Sequence, residues 1–377
     1  MSATGRPDGT APGTSDVAAA LSEAGFVRLV AGASGDALAA LGSLAGALNA
    51  AGTPFQATVS ALPAGVDRAT DADLTLALGQ PAAAADAALG PGGVTSRVAY
   101  DVAQEAGPAG FRPDPALALA GAVAAGTVPT DLAEAAEQAG LERRPGVAGP
   151  TDDPVDAVAH SALLHAHVSG DRDAAADLLA GVDTDAMDDD ACRRVASLVA
   201  AAVAGDSDAT ARGAETVEQF LRPYAGGPFG TVGGYADVLD ALARTRPGLG
   251  VALVLGAGDR ESALAAWRDH GMRTHHAVRE ATTGRYDGLL AVSHDSAPVG
   301  TVARLVRDFR SPEPAVLAVT DGEAAAVRTA DAALDLGATM DAAADAAGGT
   351  GGGTPVRGRA VFDADPTEFV VAFREAL

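Results

Sequence analysis

The sequence predicts an α/β protein of two units: an N-terminal α/β domain with a helical extension, and a C-terminal α/β domain. Three observations carry this prediction. The chain has 377 residues, and single cores rarely grow past about 250–300 residues. Apolar residues make up 48% of the chain and aromatics only 4%, so large cores are possible but must be built from Ala, Val and Leu. Strand and helix patterns alternate at both ends, and the Gly/Pro-rich stretch RPYAGGPFGTVGGY (222–235) separates them. The expected divisions are a disordered polar tail over 1–15, a first domain over 16–222 and a second over 223–377.

FVRLVAG (26–32) is a β-branched run and reads as a strand. GDALAALGSLAGALNAAG (35–52) follows as a helix, with Leu38, Leu41, Leu44 and Leu48 on one face and a glycine stop. PFQATVSAL (54–62) and DLTLALG (73–79) read as two more strands, giving a parallel or mixed sheet covered by helices. From about 96 to 222 the patterns are helical, and several open with Ser, Thr or Asp and close with Gly. DPVDAVAHSALLHAHVSG (153–170) is read as one of these helices.

After the boundary, ADVLDALARTRPG is a helix, LGVALVLG (249–256) a buried strand and DRESALAAWRDHG a helix. YDGLLAVSHD is a strand, PVGTVARLVRDF a helix and PAVLAVTDG a strand. AADAAGGTGGGTPVRG (343–358) reads as a Gly-rich loop, GRAVFDA as a strand and PTEFVVAFREAL as a closing helix.

All 26 basic residues are Arg, against 50 acids, for a net charge of −24. Such a Lys-free, acidic chain suits a cytoplasm near molar salt, where the Debye length is about 3 Å and surface repulsion is screened. The expectation is therefore a halophilic, cytoplasmic protein. The charge is uneven: between Arg244 and Arg310 ten Arg face seven acids, a local balance of +3. Cys192 is the only cysteine, which excludes a disulfide framework and cysteine-clustered metal sites. No apolar run reaches the ~18 residues of a spanning helix, so no membrane partner is expected.

ARLVRDFR (303–310) places Arg304, Arg307 and Arg310 along one side of a helix, where guanidinium groups can grip phosphates. The glycine run at 348–358 reads on spacing first as a flexible hairpin; as an anion site, its exposed backbone N–H groups admit close approach and make Gly352, Gly353, Thr354 and Arg357 candidate phosphate contacts. It fits neither the dinucleotide fingerprint nor a Walker motif. Tyr235, Phe229 and Trp267 are the candidates for base stacking. Histidines 160, 165 and 167 lack the i, i+4 spacing of a helical metal pair, and His275–His276 would diverge on a strand. No metal ligands are assigned, and neither a GxSxG motif nor a Cys/His pair supports nucleophilic catalysis.

Taken in order, these segments resemble the DHH-type phosphoesterases, above all the archaeal RecJ-like single-strand exonucleases. The resemblance runs through GTVGGYADVLDALARTRPGLGVALVLG, AVREATTGRYDGLL and RDFRSPEPAVLAVTDG, and ends in GGGTPVRGRAVF. That last segment is similar to the Gly-Gly-Gly-His signature of the DHH-associated, nucleic-acid-binding domain, with Gly351, Gly352 and Gly353 matching and Thr354 in place of His. The resemblance implies a DHH-like first domain and a DHH-associated second domain.

It also implies where metal ligands would stand. The family's His-x-Asp-x-Asp-Gly corresponds to Gly32–Ala37, of which only Asp36 remains as a remnant. Ala77 stands where a second metal Asp should end a strand, QPAAAADAALG has no histidine for the Asp-His-His triplet, and ALAGAVAAGTVP lacks the fourth Asp. Two-metal hydrolysis needs several such ligands to hold cations about 3.5–4 Å apart. The expectation is a catalytically inactive RecJ-like protein with no cofactor, binding single-stranded DNA or serving as a replication or repair scaffold. Its partners by resemblance are the GINS complex or an active RecJ-like paralogue. The alternative is an active Mn²⁺- or Mg²⁺-dependent exonuclease or phosphoesterase that draws ligands from positions such as His160, His165 or clustered Asp.

Overall fold

The computed structural model describes residues 13–63, 70–81, 84–184, 186–206 and 209–377. Helix α1 (Thr14–Glu23) leads into β1 (Val27–Gly32), α2 (Gly35–Ala51), β2 (Phe55–Ser60), β3 (Leu74–Leu78), β4 (Ala87–Leu89) and α3 (Thr95–Ala106). The middle contains α4 (Pro115–Ala124), α5 (Thr130–Gln138), β5 (Glu142–Arg143), α6 (Pro154–His160), α7 (Arg172–Leu179), α8 (Asp189–Ala204), α9 (Ala211–Phe220) and β6 (Tyr224–Ala225). Then come α10 (Val232–Thr245), α11 (Pro247–Val254) and α12 (Arg260–Glu280). The last part runs through β7 (Thr282–Tyr286), β8 (Leu289–Ser293), α13 (Val299–Leu305), a π-helical turn (Val306–Arg310), β9 (Ala315–Thr320) and β10 (Glu323–Arg328). It ends with α14 (Leu336–Ala346), β11 (Thr350–Thr354), β12 (Arg357–Val361) and α15 (Pro366–Ala376).

The first sheet has order β2-β1-β3-β4, with every pairing parallel. β1 is buried along its whole length, as an apolar run between two strands and under helices must be. α2 starts where the Ser34 hydroxyl accepts the Ala37 N–H, and it stops at Gly52, whose φ of +75° is the left-handed cap. Its four leucines are all buried. The second sheet is mixed, with order β11-β12-β10-β9-β8-β7. One of its faces packs on α13 and the α6–α9 helices through Val292, Val316, Ala318 and Val327. The other packs on α14 and α15 through Leu289, Leu317, Met340 and Phe369.

Four expectations change in the structure. LGVALVLG is not a strand but lies mostly in α11, lying against α2 and β2. A short run that is apolar at every position has no period to separate the two conformations, and Pro247 at the first turn tips it to helix. The helix expected over 153–170 stops at His160. The expected loop at 343–358 holds the end of α14 and a β11–β12 hairpin. Its glycines are there because α14 lies directly on the hairpin backbone: a Cβ at Gly351 would overlap the Met340 carbonyl. Gly353, at φ +150°, likewise leaves no room beside Arg357. Finally, α10, α11 and α12 do not join the second sheet. Tyr235, Leu239 and Trp267 share a core with Leu38, Leu117 and Leu119, while Val199 and Phe220 share one with Val292 and Val316 of the second sheet. Most of the expected tail lies outside the described residues, while Thr14 and Ser15 already belong to α1.

Candidate functional site

The chain passes from β1 to β2 on one side and then crosses back to β3 on the other. Open α/β sheets bind ligands beyond the carboxyl ends of their strands at such a reversal. Here those ends are Gly32, which leads through Ala33 and Ser34 into α2, and Gly79–Gln80 after β3. Facing them across a cleft of about 810 Å³, mouth included, are β10, β11 and β12, with Gly300 and Arg304 of α13 and Arg244 of α10. Arg244, Arg304, Arg357 and Arg359 line the cleft, and no Asp or Glu does so among the described residues.

Two of these four cations are paired. Arg244 grips Asp240 through Nε and Nη2 at 2.9 and 3.1 Å, and Asp240 also accepts the Gly35 N–H at 3.0 Å. Burial pushes the Asp240 carboxyl up, but the Arg244 guanidinium, Arg304 and the Gly35 hydrogen bond outweigh it and hold the group well below the usual carboxylate range. Arg359 reaches Glu323 at 3.1 Å. Arg304 donates to the Ala162 carbonyl at 3.0 Å, a neutral partner. The Arg357 side chain makes no hydrogen bond or ion pair among the described residues. Burial, followed by the charges of Arg244 and Arg307, lowers its proton affinity.

Four buried polar atoms around the cleft also lack partners: Nε of Arg304, Nε of Arg359, Nε2 of Gln80 and Oγ1 of Thr354. Gln80 is only 6% exposed. A buried unsatisfied donor costs about 1–3 kcal/mol, and a concentration of them beside guanidiniums without an acidic partner is chemistry that an anion would satisfy.

The structure brings Arg304, Gly352, Gly353, Thr354 and Arg357 together at this cleft. It does not align the three arginines of 303–310. α13 ends at Leu305 and the chain continues as a π turn, which breaks the helical row. Arg307 lies in an adjoining cavity, paired with Asp308 at 2.6 Å. Arg310 donates to the Val278 carbonyl at 2.7 Å. The stacking candidates are unavailable as well. Phe229 and Tyr235 stack on each other at 5.4 Å, Trp267 donates to Asp237 at 2.7 Å, and all three are buried. Sequence reading missed Arg244, Arg359 and Gln80. The one available signal was an amide-bearing residue directly after a strand-ending glycine.

Comparison with known proteins places this geometry. A family model described as the C-terminal domain of the uncharacterized protein rrnAC1427 matches residues 281–375, the six-stranded sheet and its helices. The protein rrnAC1427 of Haloarcula marismortui is 52% identical to this chain, and the match covers 100% of both. This chain belongs to the rrnAC1427 family. For this family member the fold is that of a solved structure of CDC45 from Entamoeba histolytica, with a TM-score of 0.54 at 8% identity over 96% of this chain and 98% of that one. A Mg²⁺ complex of RecJ from Thermus thermophilus aligns at a TM-score of 0.45 and 14% identity, covering 96% of this chain and 51% of that one, so the chain spans about half that RecJ's length. The α/β fold expected above is the one found. No helix of the described residues is long and apolar enough to cross a membrane.

In this rrnAC1427-family chain the described residues do not fit a pair of divalent cations. Hard cations need several oxygen ligands, whereas the cleft presents guanidinium and amide donors. Asp36 is occupied elsewhere: its oxygens accept the backbone N–H groups of Thr95 and Ser96, both at 2.8 Å. It anchors α3 by that helix's positive end. His160 lies 3.0 Å from Asp156, and His165 stacks on His275, both away from the cleft lining. Replacing Asp36 by Ala should therefore lower stability by about 1–2 kcal/mol. Denaturant titration measures this, and an unchanged midpoint would refute the anchoring role.

Proposed function

We infer that this protein uses its cleft to hold the phosphate backbone of a single-stranded nucleic acid without hydrolysing it, and that it acts as a scaffold in DNA replication or repair. The single observation behind this reading is the cleft itself: four guanidiniums, unsatisfied buried donors and no carboxylate lining it among the described residues. Arg304 and Arg357 bind phosphate oxygens, Gln80 and Thr354 supply neutral donors, and the glycines of β11 let the strand approach the backbone. No metal is needed in the cleft, because the guanidiniums supply the positive charge that two cations would otherwise bring.

At high salt counterion release contributes little, so such contacts position a strand more than they retain it. Retention then falls to a protein partner, for which the RecJ-like resemblance suggests the GINS complex or an active RecJ-like paralogue. Pull-down from cells at native salt, with and without nuclease treatment, separates a protein partner from a DNA tether.

The deciding experiment has two arms. Fluorescence anisotropy with a 5′-labelled single strand in metal-free buffer should give saturable binding, weakened about 10-fold or more in the R304A/R357A double variant. The same strand incubated with Mn²⁺ should stay intact. Degradation that depends on Mn²⁺ would establish the exonuclease instead, and absent binding would leave the scaffold role to protein contacts alone.

A further inference from the structure

Helix α12 ends at Glu280 and β7 begins at Thr282. The last turn of α12 is thus the covalent junction between the helical body and the six-stranded sheet. On that turn His276 and Glu280 stand four residues apart, with Nε2 of His276 3.0 Å from Oε2 of Glu280. His294 follows β8 directly, and its ring meets that of His276 edge-on with centroids 5.9 Å apart. One ligating atom from each of the three lies within 4.8 Å of the others. Among the described residues no other three His, Cys, Asp or Glu side chains converge in this way.

We propose that His276, Glu280 and His294 form a zinc-class metal site that clips the end of α12 to the sheet. The donor chemistry selects the ion. Two imidazoles and one carboxylate suit Zn²⁺, Co²⁺ or Ni²⁺ and disfavour Mg²⁺ and Ca²⁺, which demand oxygen. The spacing fits too. With bonds of about 2.0–2.1 Å, two ligands on a tetrahedral ion stand roughly 3.3 Å apart, close to the separation His276 and Glu280 already have. The i, i+4 pair is the helical arrangement that puts two ligands on one face. His294 brings the third from a separate element, so the metal cross-links two parts of the fold, and water completes the tetrahedron.

Two hydrogen bonds change on binding: Nε2 of His276 gives up the proton it shares with Oε2 of Glu280, which moves to Nδ1 of the same ring, and the Ser296 contact to His294 is released. The Ser296 N–H donates to Nδ1 of His294 at 3.1 Å, which places the ring proton on Nε2. Ligation through Nε2 moves that proton to Nδ1 and turns the Ser296 amide to solvent. Ser296 is exposed, so water replaces that contact, and the change is small beside metal–ligand bonding. His276 and Glu280 are both more than half exposed, and an exposed three-ligand site has micromolar affinity, not that of a buried four-ligand site.

The site is independent of the cleft, and so is its test. Calorimetric titration of the full chain with Zn²⁺, at the salt where it folds, should give one equivalent bound. Co²⁺ should give the visible absorption of a tetrahedral site. H276A and H294A should each weaken binding about 10-fold or more and remove the rise in melting temperature that Zn²⁺ gives the unmodified protein. H167A, at an exposed histidine outside the cluster, should change neither. Because His276 is exposed and His294 only half-buried, circular dichroism should show both variants folded. Absence of a saturable equivalent, or equal binding by a H276A/H294A double variant, overturns the proposal.

Discussion

Between pH 7 and pH 4.5 the protein should lose at least about 3 kcal/mol of folding free energy, a large part of what a domain has. The cause is three histidines that the fold keeps neutral. Burial, reinforced by the charges of Arg310 and Arg279, brings His165 down to about 3. Burial brings His270 to about 3 as well; Asp240 opposes this, and Arg244 and Arg304 favour it. His275 is also held well below its ordinary value, by burial and by His165 beside it. His165 and His275 touch through their Nδ1 atoms at 3.1 Å, and His275 meets the Ser161 carbonyl through Nε2 at 3.0 Å. Nε2–H of His275 donates to that carbonyl and its Nδ1 accepts from His165, so only Nε2 of His165 could take another proton, and burial opposes the charge there.

Unfolded histidines protonate near 6.5, while the folded ones stay neutral until much lower pH. Protons therefore pull toward the unfolded chain as pH falls below 6.5, at about 2–3 kcal/mol each for His165 and His270 by pH 4.5, with His275 acting in the same direction. Asp237 acts in the opposite sense. Burial raises it to about 6 despite hydrogen bonds from Trp267 and Ser161. The folded state thus takes up that proton first, and acidification from 6 to 4 returns roughly 2 kcal/mol. The net effect stays destabilising. Denaturant midpoints at fixed salt should fall steadily from pH 6.5 to 4.5, with more than about one proton taken up net on unfolding near pH 5. His165→Asn should flatten the slope by one proton. A stability profile level across this range would rule out the buried neutral histidines.

The fold was legible wherever the sequence had a period or a cap. The leucines of α2 fixed a helix, Ser34 and Gly52 marked its ends, and Val27–Gly32 announced a buried strand. Legibility failed where pattern was absent or where distant chain decided the outcome. α11 is apolar all round, and β11 is built on glycines that carry no strand preference but make room for α14. The cleft was half legible. The glycines beside Thr354 and Arg357 stood out as a hairpin or anion contact, and Asp36 stood out as the one acid of Gly32–Ala37. That Arg244 and Arg359 would join them from α10 and β12 depends on tertiary packing, which no local window contains. The arginine row at 304–310 misled because a straight helix was assumed through a π turn. The spacing of His276 and Glu280 was readable too, but its meaning waited on His294, which comes from another element.

Gly271→Ala should be among the most damaging single substitutions, at about 3 kcal/mol or more. α12 crosses the end of α6 so closely that a Cβ at 271 would overlap the His160 carbonyl oxygen, and that oxygen is backbone that cannot rotate aside. The contacts around it fix the crossing from both ends. On one side Arg268 holds Asp156 through Nε at 3.1 Å and Nη2 at 2.7 Å, and the His160 ring packs on Trp267 at 5.7 Å. On the other, His275 meets the Ser161 carbonyl. Pushing the helices apart to admit one methyl group therefore strains the Arg268 pair, Trp267 and the His165–His275 contact together. Because α12 also carries the chain into the six-stranded sheet, the damage should spread to the cleft, lowering strand binding along with melting temperature. Gly248→Ala is the control, since a Cβ there meets nothing within 4 Å; lying in the first turns of α11, it should be neutral or slightly stabilising. Equal melting temperatures for the two variants would show that α6 and α12 can separate freely, which the close packing of the interior forbids.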